Sequence, residues 1–119
     1  MLILTLKKKW FDMIRLGEKK EEYREIKPYY TSRFCNVVLH NGGHFEKIGK
    51  EDLPLGTVKF RNGYAANAPS FLADCVLTIG TGKEAWGAET GRSYYVLKIA
   101  NLTDLHTNRW QVSGQKDIT

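Results

Sequence analysis

The sequence predicts an α+β chain that is mainly β: a small barrel of about six strands with one N-terminal helix and short helical turns. Short apolar runs recur along the chain, separated by turns rich in Gly, Asn and Pro, as in a small barrel or strongly curved sheet. Only residues 7–16 carry a sustained helical apolar spacing. The chain of 119 residues is 42% hydrophobic and 26% charged, which suits one globular domain with a single core and no need of a disulfide or structural metal.

Residues 2–6 form a short apolar strand. Residues 7–16 follow as a helix, with Trp10, Phe11, Met13 and Ile14 assigned to core packing and Gly17 supplying the left-handed position that ends it. Residues 20–26 are the second strand. Pro28 disfavours helical geometry at Lys27, residues 29–34 make one helical turn, and residues 36–40 read as a buried strand. Asn41-Gly42-Gly43 is a strong turn signal, and residues 44–56 look like a surface loop, a candidate rim or lid. Residues 57–61, 71–79 and 94–102 complete the strands, with a glycine-rich loop around Trp86 between the last two. From about residue 103 the chain is a polar extension with Leu105, Trp110, Val112 and Ile118 as its apolar anchors.

The stretch from Gly17 to Arg24 is crowded with Lys and Glu for a core strand. Alternation puts Lys20, Glu22 and Arg24 on one face and Glu21, Tyr23 and Glu25 on the other, so neither face is apolar. Such a strand is either a solvated edge kept soluble by its charges or a functional surface. Gly17, Lys19, Glu22 and Arg24 follow the spacing G-x-K-x-x-E-x-R. Further on come Lys27-Pro28-Tyr29-Tyr30, Arg33, Phe60-Arg61-Asn62-Gly63-Tyr64, Gly80-Thr81-Gly82 and Trp86-Gly87-Ala88. In this ordered set the chain resembles the ASCH domain family over most of residues 2–102. The resemblance implies a PUA-like barrel for the whole chain, as a single domain.

Some members of that family are amidohydrolases acting on N4-acetylcytidine, for which the resemblance implies a lysine, a threonine and a distant glutamate as working groups. The lysine corresponds to Lys19. Glu22 stands where the threonine would be, which removes the hydroxyl nucleophile, and Glu84, Glu89 and Asp74 are the candidates for the distant carboxylate. Other members are ribonucleases. If this chain is an enzyme, the resemblance and the local chemistry put Lys19 and Glu22 at the centre, since a lysine becomes a base or nucleophile only when desolvation or a neighbouring cation lowers its pKa.

A binding site for single-stranded RNA or a splayed nucleoside needs cations for phosphate, flat rings for stacking and polar groups for the base edge. Lys19, Lys20, Arg24, Arg33 and Arg61 supply the first. Tyr23, Tyr29, Tyr30, Tyr64 and Trp86 supply the second, and Glu22 and Asn62 the third. Each tyrosine taken singly also suits core packing, and Trp86, flanked by glycines, either lines a pocket or fills the core. Gly80-Thr81-Gly82-Lys83 lacks the spacing of a phosphate loop and reads as a turn that aims Trp86.

The net charge of +5 and pI near 9.2 favour an anionic partner, and the first quarter of the chain is the basic part. The apolar run at the N-terminus is too short for a membrane span or secretory signal, so a cytoplasmic protein is expected. Cys35 and Cys75 lack metal-ligand spacing and read as small buried hydrophobes, and the histidines do not cluster, so neither a metal nor a cofactor is expected. The sequence thus points first to an RNA- or modified-nucleoside-binding domain. A hydrolase acting on a nucleoside or on RNA comes second, and a regulatory interaction module, as in eukaryotic ASCH proteins, third. Oligomeric state is left open.

Overall fold

The first β-α-β passage delivers the charged signature to one end of the sheet. In β1 (Leu2–Thr5) Leu2 and Leu4 are buried while Ile3 faces out. Helix α1 (Lys8–Arg15) buries Phe11 and Ile14. It ends at Gly17, whose φ of +82° is the left-handed conformation expected there. The amides of Glu18 and Lys19 then both donate to the Met13 carbonyl, at 2.8 and 3.0 Å, folding the chain back under the helix before β2 (Glu21–Arg24) begins.

Helix α2 (Pro28–His40) follows, then β3 (Leu53–Arg61), β4 (Ser70–Thr81) and β5 (Ser93–Asp104), with single 3-10 turns at Phe45–Lys47 and Glu84–Trp86. The computed structural model describes residues 1–104; most of the expected C-terminal extension, including Leu105, Trp110, Val112 and Ile118, lies outside the described residues. One five-stranded sheet has the order β1-β3-β4-β5-β2, with β1 parallel to β3 and every other pair antiparallel. It curls into a half-barrel, an α+β architecture that is mostly sheet. The two edges approach each other: Arg24 of β2 donates through Nη2 to the Thr5 carbonyl of β1 at 3.1 Å.

Five strands replace the expected six because residues 36–40 are helical. Pro28 occupies the first turn of α2, where its missing N–H and fixed φ are harmless. The expected single turn continues for 13 residues, since Phe34 and Val38 are fully buried one turn apart with Tyr30 and Val37 packed beside them. Leu39 is 67% exposed, which a buried strand would not allow. Residues 44–56 are also more structured than a loop: Leu53 and Leu55 are buried in β3 and pair with β4 across a bulge between Pro54 and Gly56. Pro54 is tolerated because β1 pairs with β3 only from Val58 onward, leaving the early part of β3 with one neighbour.

The main core lies on one face of the sheet, with Phe34, Phe60, Phe71, Leu53, Leu77 and Leu97 sealed from solvent. Strand β5 is covered on both faces: Tyr95 and Leu97 join the main core, while Tyr94 and Val96 form a second cluster with Ala88 and Tyr23. Cys75 is buried, which pushes its thiol up to about 12, and Cys35 is half-buried; both are free thiols. Among the described residues no helix is long and apolar enough to cross a membrane.

Because the two residues lie on opposite faces of α2, Phe34→Ala is expected to cost about 3–5 kcal/mol and Leu39→Ala less than about 0.5 kcal/mol in urea unfolding. Equal costs would contradict the facing of this helix.

Candidate functional site

The signature strand turns its charges inward. Glu22 lies opposite Leu97 and Arg24 opposite Tyr95 in the antiparallel pairing of β2 with β5, so both share the face that carries the core. Lys19 is 2% exposed and Glu22 7%, uncommon burial for charged groups. Together they form a connected cluster. Glu22 Oε1 lies 3.3 Å from Lys19 Nζ, and Glu22 Oε2 accepts from Arg24 Nη2 at 2.8 Å and Nε at 3.0 Å. Arg24 also donates to the Tyr30 hydroxyl at 3.1 Å and, as noted, to Thr5.

Lys19 completes its surroundings with the Trp86 carbonyl, to which Nζ donates, and with two rings, Trp10 at 4.9 Å and Tyr23 at 4.7 Å from Nζ. Burial lowers its pKa below the usual lysine value, against the opposing pull of Glu22. For Arg24, burial works against the charge, but the Glu22 carboxylate and Tyr30 more than offset it and the pKa rises. Burial also lifts Tyr23 to about 12, its hydroxyl donating to Glu21 at 2.8 Å while accepting from the Lys83 amide at 3.0 Å.

A cavity of about 450 Å3 opens beside this cluster, bounded by Thr5, Trp10, Glu22, Arg24, Tyr30 and Tyr94, among others. Lys19 is not on its wall. It sits behind Glu22, Trp10 and Tyr23, so it supports the carboxylate, while Glu22 and Arg24 are the charged groups from the cluster that the cavity meets. Trp10, which patterning assigns to the core, is half-buried and forms part of the wall. Its place on the apolar stripe of α1 hides this role, and the only local hint is the flanking Lys7 and Lys9.

The other expected residues divide. Tyr29, Arg33, Arg61 and Tyr64 gather around a second, smaller cavity that shares Thr5, Arg24 and Tyr30 with the first. Lys20 is exposed, its carbonyl accepting from the Ile99 amide at 3.0 Å, and it joins neither cavity because β2 begins only after it. Asn62 donates to the Leu6 carbonyl at 2.9 Å, pinning the turn after β3 to the end of β1 instead of reaching a ligand site. Trp86 contributes its carbonyl; its ring lies under Lys83 Nζ, 4.3 Å away, and is not on either cavity wall. The segment after residue 40 borders the first cavity nowhere, since it packs against α2. Of the carboxylates considered for Lys19, Asp74 is bonded to Thr57 of β3 and Asn101 of β5, Glu84 to Thr90 and Glu89 to Arg92. None lines the cavity.

The glycine loop acts by close approach. A Cβ at Gly82 would meet the Tyr23 ring at 2.5 Å and Ala88 at 2.7 Å, and one at Gly87, where φ is +104°, would meet Trp10 at 3.0 Å. These glycines let the loop lie on the two rings that enclose Lys19 and turn the Trp86 carbonyl toward Nζ. Among the described residues no group of three His, Cys, Asp or Glu side chains is placed to hold a metal ion. No family model, curated protein or solved structure matches this chain.

Removing the carboxylate leaves two buried cations facing each other, so Glu22→Leu is expected to destabilise by about 3–5 kcal/mol, whereas Lys19→Met, which leaves the Glu22–Arg24 pair intact, costs far less. The pH dependence has a definite sign. With its folded pKa below the unfolded 10.5, Lys19 binds fewer protons folded than unfolded in that window. The penalty for burying its charge is therefore complete below the folded pKa and is relieved as pH rises from there toward 10.5. Wild-type stability should climb relative to Lys19→Met over that range in parallel urea titrations; a flat or falling difference would contradict the burial of a charged Lys19.

Proposed function

We propose that this chain is an ASCH-like domain with a PUA-like barrel that binds RNA or a modified nucleoside in the cavity beside Glu22 and Arg24. One observation carries the reading: a buried Lys19–Glu22–Arg24 cluster presents a carboxylate and a guanidinium to a nucleoside-sized cavity walled by Trp10, Tyr23, Tyr30 and Tyr94. Burying three charges is costly, and a merely structural role would be met by apolar side chains of the same volume. Glu22 keeps lone pairs free after bonding both cations, so it can accept from an exocyclic amine, while Arg24 keeps one N–H, on Nη1, for a carbonyl edge. The rings supply the flat faces on which a splayed base stacks.

A second reading, hydrolysis of a nucleoside or of RNA, has one specific observation in its favour: a lysine whose pKa burial lowers, beside a carboxylate and near that cavity. Binding comes first because Lys19 Nζ is enclosed by Glu22, the Trp86 carbonyl and two rings and does not reach the cavity wall. As a positioning residue it holds Glu22 in place.

Calorimetric titration of nucleosides, N4-acetylcytidine and mixed-sequence RNA tetramers, with turnover followed by chromatography, tests both. Binding is expected to weaken by about 1–3 kcal/mol in Trp10→Ala, the worth of one stacked base, and RNA affinity is expected to fall as salt rises. Absence of binding by every ligand in the set would overturn the proposal; turnover abolished in Lys19→Ala with binding retained would move hydrolysis to first place.

A further inference from the structure

The smaller cavity, about 160 Å3, is bounded by three arginines, Arg24, Arg33 and Arg61, and by no carboxylate. The three differ in how they are satisfied. Arg24 is neutralised by Glu22. Arg33 and Arg61 make no ion pair with a carboxylate among the described residues, unlike Arg92, which bridges Glu25 and Glu89. Each lies instead on an outward-facing tyrosine: Arg33 is 4.0 Å from the Tyr29 ring and Arg61 5.2 Å from the Tyr64 ring. Tyr64 is 80% exposed, so its ring serves no core. Arg61 Nε donates to Thr5 Oγ1 at 3.0 Å, which fixes its position while leaving the terminal nitrogens of the fork available.

Two guanidinium groups that stack on tyrosines, bound one small cavity and have no carboxylate partner among the described residues match the oxygens of a phosphate ester. The space shares Thr5, Arg24 and Tyr30 with the first cavity, so a phosphate held there would be next to whatever occupies the larger one. We infer that Arg33 and Arg61, stacked on Tyr29 and Tyr64, form a phosphate subsite, and that the ligand is a nucleoside carrying a phosphate ester. This inference rests on the nucleoside reading of the first cavity. The shared chemistry is a phosphate on ribose, whether from a free nucleotide or from the backbone of an RNA strand.

The subsite can be tested without the nucleoside. Inorganic phosphate, titrated while the arginine Nε–H resonances are observed by NMR, is expected to shift Arg33 and Arg61 saturably and to leave Arg24, held by Glu22, nearly unmoved. Calorimetry then compares each nucleoside with its 3′- and 5′-monophosphates and with a dinucleotide. The phosphorylated forms are expected to bind wild type about ten-fold more tightly than the nucleoside, the worth of one charge-assisted hydrogen bond, and that ratio should fall to about one in the Arg33→Gln/Arg61→Gln double variant. Tighter binding of the dinucleotide than of either monophosphate identifies a strand as the source; equal binding identifies a free nucleotide.

A wild-type ratio near one, or a ratio retained in the double variant, overturns the subsite. If phosphate shifts Arg33 and Arg61 but Glu22→Gln leaves nucleotide affinity unchanged, the subsite stands and the nucleoside reading of the first cavity falls. If nucleosides bind in a Glu22-dependent way and phosphate adds nothing, the reverse holds. The single variant Arg33→Gln, whose exposed side chain contacts Tyr29 alone among the described interactions, carries the same comparison should loss of the Arg61–Thr5 bond impair folding.

Discussion

The fork of Arg24 holds the half-barrel together where no strand ladder does. The sheet ends in β1 at one edge and β2 at the other, and these edges share no backbone pairing. Arg24 spans them, donating to the Thr5 carbonyl of β1 while its remaining nitrogens take Glu22 and Tyr30. A lysine in its place could not do this, since it lacks the planar set of donors needed for three partners in fixed directions. Because the same side chain bounds both cavities, the contact that joins the edges also sets the width of the hollow between them.

A guanidinium so placed needs a buried counter-charge, and Glu22 supplies it two residues away on the same face of the strand. That carboxylate is in turn held by Lys19 from behind, in a slot of Trp10, Tyr23 and the Trp86 carbonyl. The chain reaches this arrangement through backbone choices far from any ligand. Gly17 in its left-handed conformation ends α1 and brings Lys19 back beneath Met13, and Gly82 and Gly87 let the loop before β5 lie against Tyr23 and Trp10. On the proposed reading of the cavity, stability and recognition pull in opposite directions here. An apolar slot would be easier to fold, but it would leave Glu22 free to rotate away from the cavity.

Much of this was legible in the residues. The end of α1 at Gly17, the placing of Glu22 and Arg24 on one face and the runs of β4 and β5 follow from local patterns: a glycine where φ is positive, alternation along an extended segment, and apolar stretches between turns; that the shared face turns inward does not, because alternation fits a solvated edge equally well. Residues 36–40 read as a strand because Val37 and Val38 have high strand propensity and the run is short. Only burial of Phe34 and Val38 one turn apart, a tertiary fact, decides for helix. Trp10 shares its stripe with true core residues, and the neighbour that distinguishes it, Lys19, is brought there by a turn whose geometry no spacing rule specifies. Lys20, Asn62 and the Trp86 ring belonged to the right segments but face other tasks, since a motif fixes which residues are near a site without fixing where each side chain points.

The two cavities share a wall at Arg24: rings and a carboxylate–guanidinium pair lie on one side, and on the other are guanidiniums with no carboxylate partner among the described residues. Intermolecular NOEs between a mixed-sequence RNA tetramer and the aromatic protons of the protein decide whether bases enter the larger cavity. Contacts from base protons to the rings of Trp10, Tyr30 and Tyr94 are expected; contacts confined to residues outside both cavities, with those three rings silent at saturation, would contradict the proposed site.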